Sequence, residues 1–264
     1  SRWATRNETI KAGEFNITKD ADTKAFFATL IAGKVIEYSF TVPEGWTYRE
    51  MLNKLMSLSR IQHPADGYQA DAISQALDLE RGKTLEGLFF PDTYSYVNGI
   101  HGTEILRQAY TNMQTQIEEA WIARSTTSSE ISTPYEALIL ASIIEKETGV
   151  EGERRKISGV FHNRLRIGMM LQTDPTVIYG MGDNFDGNLR RVDLETDTPY
   201  NTYTRFGLPP GPIALPGELS LNAAVNPEST TALYFVANGQ GGHTFSNTLA
   251  EHNQAVADYL RSSQ

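Results

Sequence analysis

The sequence predicts an α+β protein: a small N-terminal βαβα domain over residues 1–60, a helical connecting region over 61–132, and a larger mixed α+β domain over 133–264. Three observations carry that prediction. Apolar residues recur at helical spacing through the middle of the chain, at about 103–124, 134–148 and 151–167. Short strand-like runs, "GEFNIT", "YSFTVP" and "ALYFVA", lie towards its two ends. Between the last helices runs a long passage rich in Gly, Pro and Asn, residues 183–217.

The N-terminal domain is read from a faint repeat. Phe15 and Ile17 are matched by Phe40 and Val42, and Phe27 and Leu30 by Leu52 and Leu55, each pair 25 residues apart. Each copy reads as a short strand, a turn and an amphipathic helix. Two such units approach the size of a LysM-type glycan-binding module, although two copies do not separate a repeat from coincidence among common apolar residues. Residues 57–102 read as short helices and loops, with "LEGLFFPDTYSY" as an aromatic connector. A long helix over 103–124 places Ile105, Leu106, Ala109, Met113, Ile117 and Trp121 on one stripe. "STTSSEIS", 125–132, is a polar linker.

The next helix has the clearest punctuation. Thr133 is an N-cap, Pro134 stands at the first helical position, Glu136 completes a capping box, and Gly149 supplies the stop. A second helix, 151–167, turns Ile157, Val160, Phe161 and Leu165 inward and ends at Gly168. In "MMLQTDPTVIYG", Pro175 pins an extended turn. A passage as long as 183–217 inside a compact domain is functional or disordered, and its aromatic residues favour function. The chain closes with a short helix at 218–225, the strand "ALYFVA", "GGHTFS", and a helix from about 247.

Composition narrows the function classes. The chain has 264 residues, 40% hydrophobic and 21% charged, as in soluble globular proteins. A net charge of −9 with no basic run argues against a nucleic-acid partner and against adhesion to anionic lipid. The absence of cysteine removes disulfides, thiolate catalysis and Cys-based metal sites. The five histidines show no metal-binding spacing, and no GxSxG elbow or phosphate-binding P-loop occurs. No metal or other cofactor is therefore expected. The longest apolar run, 137–144, is far short of a membrane span, and the start at Ser1 without Met or signal peptide is expected of a trimmed chain that has lost an anchor.

One feature sits badly with a purely structural reading. The apolar run "ASII" ends in Glu145-Lys146-Glu147. On a helix, residues three, four and seven apart share a face. Glu147 follows Ile144, Ile143 and Leu140 at those spacings, all apolar, whereas Glu145 follows Ser142, Ala141 and Leu138. Glu147 is thus the better candidate for desolvation, which raises a carboxyl pKa and keeps the acid form present near neutrality. General-acid catalysis at a glycosidic oxygen needs that form. Spacing alone leaves a second reading open, a Glu that points into water from a frayed last turn. Neither carboxylate favours the helix, because both oppose the dipole at its C-terminus.

Groups suited to sugar recognition follow: Asn163, Arg164, Gln172, Thr173, Asp174, Tyr179, Tyr200, Asn201, Tyr203 and His243. Aromatic rings stack on pyranose faces, and amides and acids bond hydroxyls. Each also has an ordinary structural reading: Asp174-Pro175 opens turns, Tyr179 can be core, and Arg164 can pair with an acid.

Together these residues resemble the endolytic murein transglycosylases, the YceG-like family. The similarity is carried by "LASIIEKETG", "ISGVFHNRLRIGMMLQTDPTVIYG", "YNTYTRFGLPPGPIALPG" and "LYFVANGQGGHTFSNTLAEHN", which span nearly all of 138–253 in order. It is looser at "FTVPEGWTYREMLNKL" and "LEGLFFPDTYSY", where the family carries its LysM-like portion. The resemblance implies that 133–264 is a catalytic domain cleaving peptidoglycan glycan strands within their length, between N-acetylmuramic acid and N-acetylglucosamine. It implies a non-hydrolytic reaction leaving a 1,6-anhydro end, with Glu147 as the catalytic residue and Glu145 as the fallback. It further implies cell-wall synthases as partners and a place on the periplasmic side of the bacterial inner membrane, held by an N-terminal anchor. A hydrolytic muramidase using Asp174 or Glu145 as second carboxylate, and a non-catalytic glycan-binding scaffold, are the competing expectations.

Overall fold

A computed structural model describes residues 13–79, 84–124 and 130–262. Most of the polar linker expected over 125–132 falls outside them. In chain order the elements are α1 (Thr23–Ala32), β1 (Glu37–Thr41), α2 (Tyr48–Met56), α3 (Ala70–Ala76), β2 (Thr93–Val97), α4 (Gly102–Ile122), α5 (Pro134–Glu147), α6 (Arg154–Arg166), α7 (Asp174–Met181), α8 (Arg191–Glu195), α9 (Glu218–Val225), β3 (Tyr234–Ala237), β4 (His243–Ser246) and α10 (Leu249–Ser262). Helices and small sheets make the mixed α+β fold that the sequence predicts.

The scaffold is organised around α5. Its start is fixed as the sequence implies: Thr133 Oγ1 accepts from the Glu136 N–H at 3.1 Å, and Glu136 accepts from the Thr133 N–H at 3.1 Å. Every residue from Ala137 to Ile144 is buried, so the helix is covered on all sides rather than along one stripe. It packs chiefly on α9 and also on α4, α6 and α7. Ser142, inside this apolar run, is satisfied locally: it donates to the Ile139 carbonyl at 2.7 Å and accepts from the Ile213 N–H at 3.0 Å. That second bond ties the Pro-rich 209–217 loop to α5.

In α4 the buried stripe runs Ile105, Leu106, Ala109, Met113, Ile117 and Ala120, with Trp121 at its edge beneath the Arg124 guanidinium. A short 3₁₀ turn at Glu151–Glu153 precedes α6, which therefore begins three residues later than its apolar spacing suggested. Gly159 of α6 is needed for close approach, since a Cβ there would lie 2.5 Å from the Glu228 carbonyl oxygen. Pro175, expected in an extended turn, instead lies in the first turn of α7, where its missing N–H leaves no helical bond unmade.

The first third differs from the expected pair of βα units. Phe15 makes one isolated bridge, to Val35, and no strand forms at 15–17. β1 pairs antiparallel with β2, from Glu37 opposite Val97 to Thr41 opposite Thr93. Its partner thus comes from outside residues 1–60, and Phe40, Val42, Met51 and Leu55 join the same buried cluster as α4, α5 and α9. The 43–47 loop is laced to the 209–217 loop by Gly45 N–H to Leu215 carbonyl at 2.9 Å and Leu215 N–H to Trp46 carbonyl at 2.7 Å. β3 and β4 form a C-terminal antiparallel hairpin, Tyr234 opposite Ser246, against which α10 packs. No helix among the described residues is long and apolar enough to cross a membrane.

Candidate active site

Glu147 is the last residue of α5, where the chain leaves the helix through an extended Thr148. It lines a cleft of about 330 Å³ together with Arg164 of α6, Leu171, Gln172, Thr173, Asp174, Tyr203, Tyr234 and Phe235 of β3, and Leu249 and His252 of α10. Six of the residues singled out from the sequence, Glu147, Arg164, Gln172, Thr173, Asp174 and Tyr203, therefore meet in one cavity. A larger hollow of about 760 Å³ lies between the hairpin and α10, around Glu251, Asp258 and Tyr259, and contains none of them.

Residue 147 as a whole is half-buried, yet burial is the largest influence on its carboxyl group and drives its pKa up. The Thr173 hydroxyl donates to Oε1 and favours the carboxylate, Asp174 opposes the charge, and His243 and Arg164 favour it. The net direction is upward. Such a group holds its proton at higher pH than an exposed Glu and has neighbours ready to accept the anion that follows proton transfer.

The stretch against Glu147 is held in place by hydrogen bonds. Gln172 stands at φ 48°, a left-handed conformation unusual for a side-chain-bearing residue, and its N–H donates to the Thr202 carbonyl at 3.1 Å. Thr202 Oγ1 accepts from the Thr173 N–H at 3.0 Å and lies 2.9 Å from Thr176 Oγ1. These buried threonines lock the Thr173 hydroxyl against Glu147. Asp174 Oδ1 accepts from the Tyr203 hydroxyl at 2.6 Å, which bridges α7 to the 183–217 passage. Burial and then Asp174 push the Tyr203 hydroxyl pKa upward, so it remains a donor. Arg164 is buried and pinned by two carbonyls, Nε to Leu233 at 2.7 Å and Nη1 to Leu171 at 2.6 Å. It pairs with main chain rather than with an acid.

Other candidates sit elsewhere. Asn163, expected to meet a ligand, spends its amide on the Thr230 and Ala232 carbonyls at 2.8 and 3.0 Å. Asn201 is fully buried; its amide nitrogen serves the Asp193, Leu194 and Thr196 carbonyls, and its oxygen accepts from the Tyr203 N–H at 2.8 Å. Both hold loops in shape, because buried carbonyls away from regular structure need donors. Tyr179 and Tyr200 face each other, ring centres 4.8 Å apart, and the Tyr179 hydroxyl donates to Glu86 at 3.3 Å. Neither ring lines the cleft. His243 stands beside it: Glu153 accepts from the His243 N–H at 2.8 Å and contacts its Nδ1 at 2.6 Å. Burial raises the Glu153 pKa, but the bonds from His243 outweigh it and hold the carboxyl below its usual range.

Glu145 has a different environment from Glu147. Its side chain is 6% exposed and lies 3.4 Å from Arg154 Nη2, itself 8% exposed, and its Oε2 accepts from the Gly217 N–H at 3.0 Å. Arg154 Nε also donates to Ser220 Oγ at 3.1 Å. Glu145 thus ties the end of α5 to α6, α9 and the Pro-rich loop, and does not line the cleft. Sequence reasoning missed Thr202, Tyr234, Phe235, Leu249 and His252. All five lie inside motifs that carry the family resemblance; the last four come from the C-terminal hairpin and helix, with no local signal that they return to α5. Among the described residues no group of three His, Cys, Asp or Glu is placed to hold a metal ion.

The model of the YceG-like family matches residues 1–258. A Bacillus subtilis protein named endolytic murein transglycosylase is 32% identical over 269 residues, covering 96% of this chain and 74% of its own length. A Streptococcus pneumoniae protein of the same name is 28% identical over 286 residues, again covering 96% of this chain but 51% of its own. The crystal structure of a yceG-like protein from Listeria monocytogenes superposes with a TM-score of 0.69 at 29% identity, covering 94% of this chain and 86% of that one.

Proposed function

The chain belongs to the YceG-like family, and from that premise we propose that it is a lytic transglycosylase that cuts peptidoglycan glycan strands within their length. The relatives named endolytic murein transglycosylase support the substrate and the reaction class. The observation that carries the mechanism is Glu147, a carboxyl whose pKa burial raises, in a cleft of sugar size.

In the proposed reaction, Glu147 gives its proton to the oxygen bridging N-acetylmuramic acid to N-acetylglucosamine. The C1–O bond breaks as positive charge develops at C1 and the ring oxygen. Glu147 is then a carboxylate, stabilised by the Thr173 hydroxyl and by the nearby Arg164 and His243. It takes the proton from the same sugar's C6 hydroxyl, whose oxygen closes on C1. The product is a 1,6-anhydro end, Glu147 is again an acid, and no water is consumed. Thr173 orients the acid, while Gln172, Asp174 and Tyr203 offer bonds to sugar hydroxyls. The proposed place of action is the periplasmic side of the inner membrane, where murein is found.

One observation favours a second reading. Asp174 lines the same cleft and, as a second carboxylate, can direct a water to C1. Mass analysis of digested, purified glycan strands separates the two, because the anhydro product is lighter by one water. Glu147→Gln keeps the size of the side chain but removes the acid. Undiminished cleavage by that variant defeats the assignment of Glu147, and a hydrolytic mass defeats the transglycosylase reading.

A further inference from the structure

His252 lies in the first turn of α10 and lines the cleft that holds Glu147. Three observations describe its ring. It is stacked on Tyr234, centres 5.2 Å apart and 23° from parallel. The Arg164 guanidinium lies against the Tyr234 ring too, 5.3 Å from its centre, so this tyrosine ring contacts both a fixed cation and the imidazole. The Nδ1 of His252 is buried and has no hydrogen-bond partner among the described residues.

These observations determine what the ring can offer. A buried N–H without an acceptor costs more than a buried lone pair, so the proton of the neutral ring belongs on Nε2. Burial and then the Arg164 charge hold the imidazole pKa below its usual range, which keeps the ring neutral. With Nδ1 enclosed by protein, the Nε2–H edge is the polar part that a ligand in the cleft can meet. Apolar surface from Phe235 and Leu249 lines the same cleft. An N–H donor in a cleft that also presents this apolar surface suits a ligand part that joins an acceptor to a methyl group. Sugar hydroxyls do not have that character, since they donate as readily as they accept. An acetamido group does, with its carbonyl oxygen and its methyl.

We propose that His252 is a substrate-binding residue of the Glu147 cleft, donating its Nε2–H to the acetamido carbonyl of an N-acetylated hexosamine. The proposal rests on the glycan-cleavage reading and adds how the cleft selects N-acetylated sugars from sugars with plain hydroxyls. His252 takes no part in proton transfer to the glycosidic oxygen.

The test uses two neutral probes with the same β-1,4 linkage, chitotetraose and cellotetraose, which differ in carrying an acetamido group or a hydroxyl at C2. Their dissociation constants are measured by calorimetry on the inactive Glu147→Gln protein, with and without His252→Phe. Phenylalanine preserves the stack on Tyr234 and removes the donor. The expected result is a preference for chitotetraose that His252→Phe reduces about tenfold, the scale of one hydrogen bond, with cellotetraose binding unchanged. His252→Gln, which retains an N–H donor, should recover part of the preference. On active protein, His252→Phe should raise KM for peptide-free glycan strands about tenfold and leave kcat within about twofold. Retention of the full preference by His252→Phe overturns the proposal, as does the absence of any preference in a protein that still cuts glycan strands. A parent chain that cuts no glycan strands brings down the cleavage reading instead.

Discussion

Glu86 offers a quantitative test of the electrostatics. Its side chain lies in the aromatic connector and is 6% exposed. Oε1 accepts from the Tyr48 N–H at the start of α2, at 2.8 Å, and Oε2 accepts from the Tyr179 hydroxyl of α7, at 3.3 Å. Burial, opposed by these bonds, pushes its pKa from 4.5 to about 7. Unfolding returns the group to its ordinary value, so between pH 4.5 and 7 the native state holds the extra proton. The sign follows: Glu86 makes the fold most stable below about pH 4.5, stability falls as pH rises towards 7, and the loss is constant above that. Its size is about 3 kcal/mol, from 1.36 kcal/mol per pKa unit. Glu86→Gln keeps an acceptor for the Tyr48 N–H and does not ionise. Urea unfolding of parent and variant at pH 4.5 and pH 8 measures the effect, since the other titrating groups cancel in the difference. The parent should lose about 3 kcal/mol more than the variant between the two conditions. Parallel losses would show that Glu86 is not held protonated, and the reasoning from burial would be refuted.

The remaining predictions concern the cleft and its supports. Glu147→Gln should abolish cleavage and make the protein more stable than the parent at pH 8 but not at pH 4, as thermal unfolding at the two values will report; a raised native carboxyl pKa destabilises the fold once the group ionises. Thr173→Val removes a bond that favours the Glu147 carboxylate, so the alkaline limb of the pH–rate profile should move to higher pH; movement to lower pH contradicts the assigned role. Glu145→Ala strands the buried Arg154 and should cost about 3–5 kcal/mol in denaturant unfolding, whereas lost activity in a fully stable variant would return Glu145 to candidacy as the acid. Asn201→Ala leaves three loop carbonyls without their donor and should cost about 2 kcal/mol while raising KM through a displaced Tyr203.

The sequence by itself determined the features whose causes lie within a few residues. The start of α5 follows from Thr133, Pro134 and Glu136, which satisfy or replace the unpaired N–H groups of the first turn. The stripe of α4 follows from helical spacing, because three- and four-residue intervals are set by the turn itself, whereas Glu145 and Glu147 are told apart by partners beyond their helix, Arg154 and Gly217 for the one and Thr173 for the other. Tertiary structure decided whatever depends on groups far apart in the chain. β1 could not announce that its partner lay at 93–97 rather than 15–17, since either run offers the same edge of N–H and C=O groups. Asn163 and Asn201 have the amides of a sugar site, and only the fold revealed unsatisfied carbonyls nearer at hand. The cleft needs two walls, and the second, with Tyr234 and His252, arrives about a hundred residues after Glu147 through a hairpin and helix whose local pattern is indifferent to what they cover.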